Sequence, residues 1–469
     1  MMGYRNLLFT VPTGTDSYKP SHAKLYPPGS KRLHSYFECR DKPFEWADEV
    51  VFFGLQYILE RFRGQCFTKE DVHLAESMWS DHFGRKDVFD ADQWYRMFDK
   101  HHGYLPVAIR AVPEGTVVPV RNALMTVENT DDEFPWLTNW LETILSQIWY
   151  PITVATQSRE MKRLLKESLS RTGDIGGLPF KLHDFGYRGC TCFEQAGIGG
   201  AAHLVNFQGS DTFAGIMLAR QFYGCQMAGF SIPASEHSTI TSWGKEGELG
   251  AFANMLEEYP TGLIACVSDS YDIKNACRNL WGDKLKQKIL ERDGTLVVRP
   301  DSGEPVETVL MVLNTLGQAF GWERNNKGYK VLPPQVRVIQ GDGIDYHSLG
   351  DILNAINENG WSTDNIAFGS GGGLLQKVNR DTLSCAFKAS RIEGEDFSRD
   401  VYKDPVGMSS KRSKRGRLKL VKYGNTWETV NLEDPRYDHL MDQLVEVFRD
   451  GRLNLQYTFD EIRKRAELA

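Results

Sequence analysis

No stretch of this chain holds the run of about 18 apolar residues that a helix needs to cross a bilayer. Its opening, MMGYRNLLFTVPTGTDSYKP, lacks the apolar core and small-residue cleavage site of a signal peptide, so a cytoplasmic location without membrane attachment is the expectation. Positive charge is short as well. The 55 Lys and Arg against 62 Asp and Glu leave a net charge of −7, which argues against general affinity for nucleic acid. The local exception, Lys411-Arg412-Ser-Lys414-Arg415-Gly-Arg417, reads either as a solvated basic loop or as an anion site, and composition does not choose between them. Cysteine is sparse: eight residues are scattered over 469, and only Cys190-Thr-Cys192 is close-set, with no second pair to complete a zinc site. Reduced, structural thiols are expected. The histidines show no H-E-x-x-H spacing, and the chain has no internal repeat or low-complexity tract.

What is present fits a soluble globular enzyme of two or three domains, with 41% hydrophobic and 25% charged residues. The first 150 residues mix helical patterns (EVVFFGLQYILERF, DEFPWLTNWLETILSQIWY) with strand-like pieces (LPVAIRAVPEGTVVPVRNALMTVEN), an α+β character. From about residue 180 the rhythm changes. Short apolar runs recur, each followed by a polar or Gly-rich loop and then a helical stretch: 181–189, 204–215, 229–240, 263–273, 295–305, 336–345 and 365–373. Seven such units predict a parallel α/β architecture, closed or nearly closed into a barrel whose post-strand loops share one rim. Past 385 the patterning is mixed again. LKLVKYGNTWETVNL predicts a hairpin around Gly-Asn, and TFDEIRKRAEL a closing helix capped by Thr458 or Asp460. The expected division is 1–150 together with 385–469, and a barrel over 151–384.

The rim loops carry the chemistry. Asn365-Ile-Ala-Phe-Gly-Ser-Gly-Gly-Gly-Leu-Leu-Gln-Lys377 places four glycines within five positions between a strand and a helix-like stretch. Either the turn is sterically demanding, or an anion approaches bare backbone N–H groups at a helix start. It matches neither a Walker A loop nor a dinucleotide fingerprint, since Leu374 stands where the last Gly should be. Arg299-Pro-Asp301-Ser-Gly joins a guanidinium fork suited to phosphate with an acid suited to ribose hydroxyls or magnesium; its plain alternative is a turn with a surface ion pair. Gln340-Gly341-Asp342-Gly and Ser268-Asp269-Ser add acids at further strand ends. Together these suggest a phosphorylated sugar, with magnesium reconciling the like charges. His183-Asp-Phe185-Gly-Tyr-Arg188 and Glu236-His237-Ser read equally well as site residues or as a satisfied strand end and a helix cap.

In this order, HDFGYRG, GSDT, PASEHST, SDSYD, RPDSG, QGDG and FGSGGGLLQK, with TDSYK and SYFECR near the start, closely resemble the nicotinamide phosphoribosyltransferase family over nearly the whole chain. The resemblance implies a type II phosphoribosyltransferase fold: an irregular α/β barrel plus an α+β sandwich built from both chain ends. It implies a homodimer with shared active sites, and transfer of phosphoribose from phosphoribosyl pyrophosphate to nicotinamide, with Mg2+ and with ATP as co-substrate or activator. By resemblance, Phe185 stacks on one face of the pyridine, Tyr18 of the second subunit on the other, and Asp211 accepts from the carboxamide. Arg188, His237 and Arg299 match phosphate and pyrophosphate contacts, and Asp269 and Asp301 match acids near ribose and magnesium. Gly341, Asp342, Gly371 and Gly372 match contacts to the ribose phosphate. Arg40, Arg380, Lys388, Lys403 and Lys411 resemble basic residues at the phosphate end, and His237 the histidine phosphorylated from ATP. The rivals are transfer to nicotinate, and a non-catalytic protein that binds NAD metabolites. A sugar-phosphate aldolase would want a Schiff-base lysine, which the seven rim clusters lack.

Overall fold

The structure, a computed structural model, describes residues 10–42, 44, 47–404 and 413–468, so Lys411 lies outside the described residues. The chain forms two compact units, Met1–Thr153 with Asn379–Ala466, and Val154–Val378 with Glu467–Ala469.

In the first unit, strands from both ends of the chain share one antiparallel sheet. Ser30–Cys39 (β1) lies between Ala123–Asn129 (β5) and Cys385–Gly394 (β14), and Val107–Ala111 (β3) lies between β5 and Val445–Arg449 (β18). Ser398–Asp400 (β15) and Arg452–Leu453 (β19) form the two edges. The helix expected over EVVFFGLQYILERF begins instead as a strand. Glu49–Val51 (β2) pairs with Val117–Pro119 (β4), because two valines followed by two phenylalanines fit a pleated surface better than a helix. Gly54, at φ 102°, turns the chain into the short helix Leu55–Leu59. The second expected helix is also broken, into Leu137–Trp140 and Glu142–Leu145, before Trp149–Thr172 runs uninterrupted. The Gly-Asn hairpin forms as expected from Leu418–Tyr423 (β16) and Thr426–Asn431 (β17), with Gly424 at φ 57° supplying the turn. Thr458, not Asp460, caps the closing helix Phe459–Ala466: its hydroxyl accepts from Glu461 N at 3.3 Å, and Glu461 Oε2 accepts from Thr458 N at 2.8 Å. Trp94 centres the unit's aromatic core, with ring centroids 5.1 Å from both Trp136 and Trp140 and 5.3 Å from Phe67.

The second unit is the barrel. Six parallel strands run in the order β7-β6-β13-β12-β9-β8: Gly209–Ser210, Leu182–Asp184, Ile366–Ser370, Val336–Gln340, Asp293–Arg299 and Thr261–Val267. A small pair, Glu323–Arg324 (β10) with Lys330–Val331 (β11), lies apart from them. The seventh expected strand, in 229–240, is reduced to single parallel bridges, Phe230 to Gly209 on one edge and Ala234 to Ala265 on the other. Pro233 lacks the N–H that a continuous ladder requires, yet its carbonyl still accepts from Ala265 N at 2.9 Å. The segment therefore spans the gap between the two edge strands with little pairing of its own. Ala265, Val297 and Ile339 fill the barrel interior against Phe185, Ile232 and Ala367. Each strand is followed by a helical segment, from Phe193–Leu204 after β6 to Gly372–Leu375 after β13.

Replacing Trp94 by alanine is expected to cost about 3–5 kcal/mol, the usual range for a buried tryptophan. The measurement is the urea midpoint followed by circular dichroism, and an unchanged midpoint would remove Trp94 from the centre of that core.

Candidate active site

Phe185 follows β6 directly, its backbone N donating to Ser370 O at 2.9 Å. Its ring lies on bare backbone. A Cβ on Gly369 would overlap it, and one on Gly341 would sit 3.1 Å from Cε2. Beside it, Asp211 follows β7, its N donating to Asp184 O at 2.9 Å and its carboxylate accepting from Ser231 Oγ. Asp184 is fully buried beneath them; burial, then the field of Asp211, pushes its carboxyl up to about 7, against the hydrogen bond from Gly186 N at 2.7 Å. His183 is held below the usual imidazole range by burial, with Asp211 opposing, and its Nε2 lies 3.0 Å from Phe180 O. A neutral ring donating from Nε2 satisfies both facts.

A second group lies at the ends of β8 and β9. The Asp269 carboxylate, almost fully buried, meets His237 Nε2 at 3.0 Å through one oxygen. Its other oxygen accepts from Asp301 N at 3.2 Å and Ser302 Oγ at 2.6 Å. Arg299 Nη2 donates to Asp301 Oδ2 at 3.3 Å, while its Nε is buried without a partner. His237 is nearly half exposed and opens the helix His237–Thr241, which Glu236 caps. The helix-cap reading of Glu236-His237-Ser therefore holds.

Members of both groups border one cavity of about 610 Å3, lined by Phe185, Tyr187, Arg188, Asp211, Arg299, Asp301, Gly341 and Asp342. Gln340 Nε2 donates to Asp342 O at 2.9 Å and so fixes the loop that carries the last two. Among the described residues no group of three or more His, Cys, Asp or Glu is arranged to hold a metal ion. Both oxygens of Asp269 are already engaged, which leaves Asp301 as the carboxylate better disposed toward a cation arriving on a substrate.

The glycine-rich loop answers its own question. None of Gly369, Gly371, Gly372 and Gly373 has positive φ, so a left-handed turn does not require them. Gly369 makes room for Phe185, and a Cβ on Gly373 would overlap the Ile344 carbonyl. Gly371 and Gly372 have no such reason, since the nearest atoms to an added Cβ are 3.4 Å and 3.7 Å away. Their backbone is open to a ligand. The helix starts on the glycines themselves and lasts only Gly372–Leu375, too short for much macrodipole, so bare N–H groups carry any anion binding there.

The remaining residues of the expected site belong to the first unit. Tyr18 is 57% exposed, its ring edge-on to His22 at 5.0 Å. Lys388 on β14 is held below the usual ammonium range by burial and then by the fields of Arg40 and Lys403, which puts those three in one basic neighbourhood. Arg40 Nε donates to Ser384 O at 3.2 Å, whereas Arg380 projects outward beside Asp381 at 3.4 Å. Tyr187 and Ser302 stood inside motifs already singled out but were given no role of their own, while Ser231 carries no spacing signal at all.

A parallel, incompletely closed barrel with an aromatic ring, two arginines and several carboxylates on its rim, in a chain that also builds one sheet from both its ends, is the architecture of a type II phosphoribosyltransferase. The sequence model described as the nicotinate phosphoribosyltransferase (NAPRTase) family matches residues 180–452, and that of the nicotinamide phosphoribosyltransferase N-terminal domain matches residues 10–109. The chain belongs to the nicotinate phosphoribosyltransferase family. It is 46% identical over 463 residues, 97% of each chain, to a nicotinamide phosphoribosyltransferase of Xanthomonas campestris pv. campestris. It is 32% identical to one of Acinetobacter baylyi, over 96% of this chain and 95% of the other. The fold is similar to the crystal structures of a nicotinate-nucleotide pyrophosphorylase from Pyrococcus furiosus (TM-score 0.60, 16% identity, 97% and 94% coverage) and of human nicotinic acid phosphoribosyltransferase (TM-score 0.55, 16% identity, 96% and 92% coverage).

Two outcomes follow from the packing. Gly369→Ala is expected to lower the melting temperature by displacing the Phe185 ring, whereas Gly372→Ala should leave it within about 1 °C because nothing opposes the added methyl; equal shifts would contradict the geometry. A carboxyl whose titration is raised in the folded state holds its proton there after the unfolded chain, titrating near 4, has lost it. The Asp184 contribution is therefore favourable at low pH and declines as pH rises from about 4 to about 7. Melting curves across that range should show wild type losing ground to Asp184→Asn as pH rises, and parallel curves would refute the assignment.

Proposed function

We propose that this chain transfers the phosphoribosyl group of 5-phosphoribosyl 1-pyrophosphate to nicotinamide, releasing nicotinamide mononucleotide and pyrophosphate, a salvage step toward NAD in the cytoplasm. The observation that carries the reading is the carboxylate of Asp211 beside the Phe185 ring at the cavity wall. It is supported by relatives that bear the nicotinamide enzyme's name over nearly their full length.

The chemistry needs little proton transfer. The pyridine nitrogen has no proton to lose, so no general base is required; orientation against the anomeric carbon supplies much of the rate. Phe185 holds the flat ring, and its π face suits the positive charge that develops on sugar and pyridinium, worth about 0.5–2 kcal/mol. Arg188 and Arg299 face the cavity and receive the departing anion. Asp301 and Asp342 serve the ribose hydroxyls, and the open backbone of Gly371 and Gly372 the 5-phosphate. Asp301 would be the carboxylate nearest a magnesium ion carried on the diphosphate, and such an ion would supply charge neutralisation for the leaving group. His237 donates from Nε2 to Asp269 and so presents Nδ1 as a nucleophile, consistent with phosphorylation by ATP that drives the reaction. Arg40, Arg380, Lys388, Lys403 and Lys411 line the phosphate end, and Tyr18 with several of them completes the site from the second subunit of a homodimer.

Transfer to nicotinate is the alternative, drawn from the family model that covers the site. Asp211 opposes it, because a carboxylate repels the carboxylate of nicotinate where it accepts an amide N–H. The deciding experiment incubates the protein with phosphoribosyl pyrophosphate and each pyridine separately, with and without ATP, and resolves the nucleotides by chromatography. Nicotinamide should turn over faster, and Asp211→Asn should narrow the preference by about tenfold, the effect of losing one charged hydrogen bond. Faster turnover of nicotinate overturns the reading, and binding of the mononucleotide with no pyrophosphate released under any condition would make the chain a binding protein.

A further inference from the structure

We propose that Ser231 is a positioning residue that sets the nicotinamide preference by fixing the rotamer of Asp211, an inference that rests on the reaction proposed above. The Asp211 carboxylate is exposed at the cavity wall, and the side-chain hydrogen bond that it accepts comes from Ser231 Oγ onto Oδ1. A carboxylate on a free χ1 and χ2 would sample several orientations, only some of them aimed at a carboxamide. With Oδ1 taken, Oδ2 is left for one amide N–H. The hydroxyl has spent its proton on Asp211 and has none for a substrate, so it acts through the acid.

The backbone makes this contact reproducible. Phe230, the residue before Ser231, is pinned from both sides: its carbonyl accepts from Ser210 N at 3.0 Å and its N donates to Gln208 O at 2.7 Å. Ile232, the residue after it, is packed in the barrel interior. The hydroxyl is thus held by the segment that bridges the two edge strands, and the acid by the strand it bridges to. Asp211 N is itself tied to Asp184 O. Main chain and side chain of the selecting acid are both fixed, each by a different barrel element.

The test compares Ser231→Ala and Ser231→Thr with wild type, measuring kcat and KM for nicotinamide and for nicotinate at saturating phosphoribosyl pyrophosphate. Ser231→Ala should raise the nicotinamide KM about tenfold with kcat within about twofold, and lower the nicotinamide-to-nicotinate ratio of kcat/KM by a similar factor. Ser231→Thr, which keeps the hydroxyl, should restore most of both. The inference is overturned if the alanine variant keeps the wild-type ratio, if both pyridines lose kcat/KM equally as a merely structural defect would dictate, or if threonine fails to rescue. Failure of the underlying reading looks different: wild type itself would then not turn over nicotinamide.

Discussion

The inner face of Phe185 has room for nothing larger than hydrogen, and the mouth of the barrel is organised around that constraint. Gly369 and Gly341 come from two different strands, β13 and the loop after β12, yet both leave space for the same ring. Beneath it lie the small and branched side chains of Ala265, Val297 and Ile339. Interiors pack near crystal density, so a methyl added at either glycine must move the ring or the strand. A ring held that firmly becomes a reference plane for the polar groups around the rim.

Those polar groups are paired before any substrate arrives. Asp269 collects three donors, Arg299 leans on Asp301, and Asp211 takes a hydroxyl. Unpaired charges in a half-buried cavity would be costly and would swing among rotamers; paired ones wait in place. The pairs differ in strength. Asp269 is almost fully buried and its bonds are numerous, which marks it as a fixed post. Arg299 touches Asp301 through a single, longer bond of 3.3 Å, which marks it as the group freer to change partner.

How much of this was legible in the sequence follows from what each feature depends on. A parallel barrel announces itself because strand, polar loop and helix recur in one order, and every acid and arginine of the rim stood at a strand end where that grammar puts chemistry. Local conformation was harder. Val50-Val51-Phe52-Phe53 satisfies an apolar helix face and a strand equally, and only the positive φ at Gly54 and the pairing to Val117–Pro119 decide for the strand. The seventh strand fails because one proline removes a donor at the place where the ladder would close. Ser231 was invisible for a different reason: a single hydroxyl bonded to an acid twenty positions away leaves no periodicity and no motif.

The glycine cluster shows why composition alone cannot assign such a loop. Four glycines within five positions look like one device, but the structure separates them into two. Gly369 and Gly373 are demanded by their own neighbours and would be glycine in a protein that bound nothing. Gly371 and Gly372 have space where a methyl would stand, and Gly372 sits in a helical backbone that any residue could adopt, so the fold gives no reason for its lack of a side chain. Glycine in that setting costs conformational entropy without steric return. The compensation has to come from outside the chain, from a ligand whose oxygens must reach the backbone N–H groups. It is this residue of unexplained cost, more than the number of glycines, that points to an anion at the rim.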